Sequence, residues 1–333
     1  MTKPHSERPE NPLISLVVPV FNEAEAIPVF LAETRKALAG LRLEIVFVND
    51  GSADGTLAAL QEKAARDERL VVVNLSRNFG KEAALTAGLQ VASGDAVVPI
   101  DVDLQDPPEL IHRFIEKWRD GYDVAYGLRE DRSSDELAKR KTAAWFYAIF
   151  NQATDTPIPV NTGDFRLMDR RVVDALNLLP ERVRFTKGLF AWVGFNAAPV
   201  PYVRPVRSAG SSKFNARRLW RLALDGVFSF SSAPLRIWSY VGAVIAGGAG
   251  IYAVWIIAKT LALGRDMPGY PSLMTVVLFL GGIQLVTLGI IGEYLSRMFV
   301  EMKGRPIYII ESITRHAAEE SREQRAEGEP GAP

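Results

Sequence analysis

The chain has 333 residues, 39 basic and 39 acidic side chains, three histidines and no cysteine. Cancelling charge argues against a general nucleic-acid binder, because phosphate-backbone contacts demand a basic excess. Without cysteine there are no disulfides or thiolate metal sites, and His5, His112 and His316 are too scattered for a zinc or Ser/His hydrolase centre.

Residues 1–12 are polar and proline-rich with no apolar run, which predicts a disordered N-terminus and not a signal peptide. A repeated βα pattern follows. Apolar runs from Ile14 to Val20, Ile45 to Asn49, Val71 to Leu75 and Ala96 to Ile100 predict strands. Amphipathic segments near Ala26 to Ala39, Thr56 to Ala65, Lys81 to Ala92 and Pro108 to Asp120 predict the intervening helices, with His112 exposed on the last. The alternation implies an α/β domain over 13–214 with a Rossmann-like, mostly parallel sheet flanked by helices. No Gly-x-Gly-x-x-Gly or Walker A sequence follows any of these strands, so a nucleotide would have to be held by other means.

Two acidic turns stand where strands end: Asn49-Asp50-Gly51-Ser52-Ala53-Asp54-Gly55-Thr56 and Asp101-Val102-Asp103-Leu104-Gln105. One such turn alone reads as a solvated loop. Two in register at the carboxyl edge of a parallel sheet, where such sheets bind ligands, point to a site. Two carboxylates and an amide oxygen suit a hard cation, Mg²⁺ or Mn²⁺.

The second half changes character. Ala143 to Phe150, entered through Lys139-Arg140-Lys141, and the apolar series Leu219, Leu222, Ala223, Val227 and Phe230 beside Arg217, Arg218 and Arg221 read as interfacial helices, with a core or dimer-interface role as the alternative. The latter lies in an amphipathic juxtamembrane segment over 215–233. Ile237 to Ala258 and Pro271 to Gly292 each run 22 residues without a formal charge, predicting two transmembrane helices within 234–300. Gly242, Gly247, Gly248 and Gly250 in the first, with Gly281, Gly282, Gly289 and Gly292 in the second, predict close helix packing. Basic residues before and after the pair, against only Lys259 and Arg265 between, place both termini in the cytoplasm. Residues 301–333 read as a cytoplasmic tail, largely disordered.

Taken together, Val17-Val18-Pro19-Val20-Phe21-Asn22-Glu23, Asn49 to Thr56, Arg77-Asn78-Phe79-Gly80-Lys81 and Asp101 to Pro108 resemble the family 2 glycosyltransferases of GT-A fold. The likeness is closer still to the polyprenyl-phosphate glycosyltransferases, the group of dolichol-phosphate mannose synthase and the bacterial bactoprenol glucosyltransferases, and it covers roughly residues 14–305. It implies a nucleobase pocket at Pro19, Phe21, Glu23 and Asp50, further donor contacts from Arg77, Lys81 and Asp101, and a divalent cation on Asp101, Asp103 and Gln105. Asn161 to Met168 resembles the family's Gly-Asp-Phe-Arg segment, which implies catalytic roles for Asp164 and Arg166 beside Asp101, with Asp164 contacting the sugar or acting as base. Arg207 to Phe214 resembles a basic lid whose Arg207 and Lys213 would close over the diphosphate. Arg129 and Arg140 are the implied acceptor-phosphate residues, although Ala144 stands where the dolichol enzymes carry serine.

The expectation is therefore an inner-membrane enzyme moving one sugar, with inversion, from UDP-glucose to undecaprenyl or another polyprenyl phosphate. Alternatives are GDP-mannose or another UDP-sugar as donor, and a homo-oligomer fits the group. A processive polysaccharide synthase would carry a Gln-x-x-Arg-Trp motif and more spans, neither of which is present. A non-catalytic membrane scaffold is opposed by the intact Asp50, Asp101, Asp103 and Gln105.

Overall fold

The computed structural model describes residues 8–129, 162–182, 184, 186–203, 233–263 and 269–316. They fall into two compact units, an α/β body and a pair of long helices.

The body begins as the βα pattern predicts: β1 (Leu13–Val20), α1 (Ala26–Ala37), β2 (Arg42–Asn49), α2 (Thr56–Ala64), β3 (Leu70–Leu75), α3 (Lys81–Val91), β4 (Ala96–Pro99) and α4 (Leu110–Arg119). It continues with β5 (Val124–Arg129), β6 (Thr162–Asp169), α5 (Arg170–Asn177), α6 (Thr186–Trp192) and β7 (Ala197–Tyr202), and closes with β8 (Ile310–Thr314). The eight strands form one sheet in the order β7-β5-β6-β4-β1-β2-β3-β8. Among the described residues four of the seven pairings are parallel, β1 with β2, β1 with β4, β2 with β3 and β5 with β7.

Runs such as Ile45 to Val48 and Leu70 to Val73 are buried throughout because helices cover both faces of the central strands. Phe30, Phe47, Phe114 and Trp118 fill the layer between sheet and helices, and the Trp118 indole donates to Asp169 at 2.8 Å. On the other face α3 lies close to the sheet. A Cβ at Gly88 would stand 2.3 Å from Val17 Cγ1, so only glycine permits that approach.

Strand order reverses between β1 and β4, which creates a crevice at their carboxyl ends. Register aligns Val20 with Asn49 and Val17 with Pro99, so the turns carrying Phe21, Asp50 and Asp101 emerge side by side.

The strand β8 departs from the expected disordered tail. It pairs antiparallel with β3, and Asn74 Nδ2 donates to Glu311 Oε2 at 2.8 Å. Its sequence, Ile-Glu-Ser-Ile-Thr, is half polar and mostly exposed, so no periodic signal marks it; what holds it is the unpaired edge of β3.

The second unit holds α7 (Ala233–Leu263) and α8 (Tyr270–Met302), which touch one another. Among the described residues one helix, Phe279–Met302, is long and apolar enough to cross a membrane, and α7 contributes the shorter apolar run Tyr240–Tyr252. Large apolar side chains such as Val244, Ile251, Leu285 and Leu288 are exposed. Among the described residues a Cβ at any of the eight helix glycines would meet no atom within 4 Å, so the close packing expected of them is not seen there.

Candidate active site

Three elements meet through one lysine. Lys81, the first residue of α3, places its Nζ 2.6 Å from Asp101 Oδ1 at the end of β4 and 3.3 Å from Asp164 Oδ2 on β6. Burial opposes its charge, but Asp101 and then Asp164 outweigh that and raise its pKa. For Asp164 burial favours the neutral acid, yet Lys81, Lys187 and Arg166 together hold the carboxyl below its usual range. It is thus a carboxylate at neutral pH, with its Oδ1 buried and without a hydrogen-bond partner among the described residues.

The loop after β4 is shaped around Asp103. The Gln105 N–H donates to Asp103 Oδ1 at 3.2 Å, and Leu104 is driven to φ 53°, a left-handed conformation that a bulky side chain adopts only under local constraint. Glu23 is raised by burial, then by the charges of Asp103 and Asp54, so negative charge is concentrated at this end of β1 and β4.

Asp50 has a different visible task. It is 4% exposed, and its two oxygens accept the N–H groups of Phe79 at 2.7 Å and Gly80 at 2.9 Å. Gly51 at φ 64° lets the turn press against that loop, since a Cβ there would stand 2.3 Å from the Arg77 carbonyl carbon. Through these bonds the Asp50 turn fixes the loop from which Lys81 projects.

A second ionic group lies beneath. Tyr202 donates to Asp106 Oδ1 at 2.5 Å, Arg129 Nε donates to the Tyr202 hydroxyl at 3.1 Å, and Arg129 stands 3.6 Å from Asp106. Arg129 and Tyr202 are register partners on β5 and β7, so the sheet itself sets this contact. A cavity of about 200 Å³ opens between the two groups, lined by Pro19, Pro99 and Ile100 together with Lys81, Asp101, Asp106, Arg129, Asp164 and Lys187.

The family model "Glycosyl transferase family 2" matches residues 15–176, and "GtrB C-terminal hairpin" matches 233–298. The chain is 52% identical over 304 residues to a prophage-derived bactoprenol glucosyl transferase of Shigella flexneri, covering 91% of this chain and 98% of that protein. A prophage bactoprenol glucosyl transferase homolog of Escherichia coli K12 is likewise 52% identical, over 90% of this chain and 99% of its own. An uncharacterized glycosyltransferase of Synechocystis, sll0501, is 50% identical over 90% of this chain and 95% of its own. The chain belongs to the family 2 glycosyltransferases. Its body is the GT-A fold of that family, a mostly parallel sheet flanked by helices.

Within this glycosyltransferase, Pro19, Lys81, Asp101, Asp164 and Arg129 line the cavity. Phe21, 47% exposed, and Glu23 lie on the turn leaving β1 and are not among the lining residues. Arg77 does not line it either: its guanidinium stacks on the Phe79 ring at 4.0 Å and donates to the Asn78 carbonyl. Arg166, expected to be catalytic, is not among the residues lining the cavity. It is 7% exposed, lies 3.9 Å from the Phe190 ring and donates to the Gly163 carbonyl at 2.8 Å, and burial lowers its pKa to about 10. Arg140, Arg207 and Lys213 lie outside the described residues.

The cation implied by the family meets a suitable donor set in Asp101, Asp103 and Gln105, all hard oxygens, beside a cluster whose mutual repulsion is seen at Glu23. Among the described residues no three acidic or histidine side chains form a closed cage.

Sequence reasoning missed Lys187, Tyr202, Asp106 and Glu82. Asp106 lay within a quoted motif, but Lys187 and Tyr202 sit in segments with no motif, and only the sheet order brings them to Arg129 and Asp164.

Proposed function

We propose that this glycosyltransferase moves one sugar, with UDP-glucose as the favoured donor, to undecaprenyl or a related polyprenyl phosphate at the cytoplasmic face of a bacterial inner membrane. The observation that carries the reading is that two relatives named for bactoprenol glucosyl transfer align over nine-tenths of this chain, through both the catalytic body and the helical hairpin. An enzyme acting on a lipid has reason to keep the two together.

The chemistry follows from charge. An acceptor phosphate monoester has a second pKa near 6, so its oxygen is already mostly ionised at neutral pH. It attacks the anomeric carbon; the new bond joins sugar carbon to acceptor phosphate oxygen, the bond to the donor β-phosphate oxygen breaks, and the nucleoside diphosphate leaves. Direct displacement inverts the centre, α-linked donor giving β-linked lipid. No proton need be removed, and Asp164, held ionised by Lys81, is a weak base. Its free Oδ1 suits acceptance of a sugar hydroxyl. Asp101 and Asp103, with Gln105, would hold Mg²⁺ or Mn²⁺, which supplies charge stabilisation to the leaving diphosphate.

The test is transfer of radiolabelled sugar to a short-chain polyprenyl phosphate in detergent, across a panel of UDP- and GDP-sugars with Mn²⁺ or EDTA. Metal-dependent label in lipid from UDP-glucose is the expected result. Label from GDP-mannose would replace the donor assignment, and no lipid label from any donor would overturn the reading.

A further inference from the structure

The cavity holds three cations and three carboxylates, and their pairing is uneven. Lys81 is engaged by both Asp101 and Asp164, and Arg129 by Asp106 and Tyr202. Lys187 also lines the cavity, yet among the described residues it makes no hydrogen bond or ion pair. Its reach into the site shows only through its field, which helps keep Asp164 ionised.

Its position is nevertheless fixed. Lys187 stands on α6, whose Thr186, Gly188, Leu189 and Phe190 are buried, with the Phe190 ring against the Arg166 guanidinium. Glu82 on α3 carries a buried carboxylate oxygen with no partner among the described residues, and the Thr186 N–H and Lys187 both favour the charged form of that carboxyl. A half-buried lysine whose charge is felt by two carboxylates, and which bonds neither, is prepared for an anion that arrives later.

We propose that Lys187 takes the phosphate of the lipid acceptor, an assignment that rests on the reaction proposed above. Two phosphates come to the site. The donor diphosphate arrives where Asp101 and Asp103 would hold a compensating cation, whereas the acceptor brings a near-dianion with no counter-ion and must lie beside the Asp164 carboxylate. Of the described cations lining the cavity, Lys187 alone is not already matched by a carboxylate at close range.

The experiment compares wild type with Lys187→Met, which keeps the aliphatic stem, and Lys187→Arg, in steady-state transfer to a short-chain polyprenyl phosphate. UDP affinity is measured by calorimetry on the same full-length preparations. Loss of one charge-assisted hydrogen bond should raise the KM for the lipid about 10- to 100-fold. UDP affinity should stay within about twofold, and Lys187→Arg should recover most of the loss because it restores the charge. If Lys187→Met does not fold, Lys187→Gln takes its place. An unchanged lipid KM overturns the assignment, and a loss of UDP affinity with lipid KM intact makes Lys187 a donor residue. Wild-type protein that transfers nothing removes the underlying reaction, whereas an active wild type matched by Lys187→Met sinks only the role of Lys187.

Discussion

The two halves of the cavity are built differently. Pro19 near the end of β1, Lys81 at the start of α3 and Asp101 after β4 belong to the parallel half, and the loop leading to Lys81 is tied by backbone groups where Asp50, on the turn after β2, receives the N–H groups of Phe79 and Gly80. Arg129, Asp164 and Lys187 come instead from β5, β6 and α6, a half with antiparallel pairings, and Arg129 is held by the charge of Asp106 and the hydroxyl of Tyr202 behind the lining. One half is fixed by where the chain turns, the other by which charges meet. The first should therefore tolerate changes of pH and fail at single motif residues, while the second should lose acceptor binding in graded steps.

The sharpest break is expected in the first half. Asp103→Ala removes an exposed carboxylate that, among the described residues, supports only the Gln105 N–H, so folding should survive. Transfer should fall by about a thousandfold, the size expected when a group stabilising transition-state charge is lost. Manganese binding followed by electron paramagnetic resonance should weaken in parallel. Full activity with unchanged manganese affinity would remove the cation from this loop.

That same contrast explains what the sequence disclosed. β1 to β4 and their helices match the expected runs closely because buried parallel strands are continuous apolar stretches and each is followed by its own helix. The acidic turns were legible for the same reason. Tyr202 was not: it ends a strand of the pattern Ala-Ala-Pro-Val-Pro-Tyr, and its meeting with Arg129 depends on a parallel pairing across more than seventy residues. The packing of Arg166 was not legible either, because a motif position says nothing of which way a side chain turns, and here it turns to Phe190 and the Gly163 carbonyl. β8 was missed because an edge strand needs only one partner and little burial.

A graded effect is expected at Tyr202. Burial, then its bond to Asp106, push its pKa up to about 12, so the hydroxyl keeps its proton and goes on donating to Asp106. Tyr202→Phe leaves the Asp106 carboxylate without that donor and Arg129 Nε without an acceptor, while the ring still packs against Phe165. Lost bonds to charged groups of this kind correspond to about 1.5–3 kcal/mol. The lipid KM should rise on the order of tenfold, with UDP affinity unchanged. Equal losses in both would show that the halves are not separable.

The smallest effect, and the one that tests the claim about pH, concerns Glu82. Burial, then the neighbouring Asp164 charge, push its carboxyl from 4.5 to about 7, with Lys81, the Thr186 N–H and Lys187 opposing. Between those values the folded protein holds a proton that the unfolded chain has released, so stability falls as pH rises through that window and the cost is complete above about 7. Glu82→Gln removes the titration and keeps an oxygen facing the Thr186 N–H. Its melting temperature should match wild type near pH 4.5 and exceed it at pH 8, where the difference is bounded by about 3 kcal/mol. The same variant withdraws a negative charge from behind Lys187, so lipid KM should shift at pH 8 and converge with wild type at low pH. A melting-temperature difference that does not vary with pH would mean that Glu82 is not the titrating group.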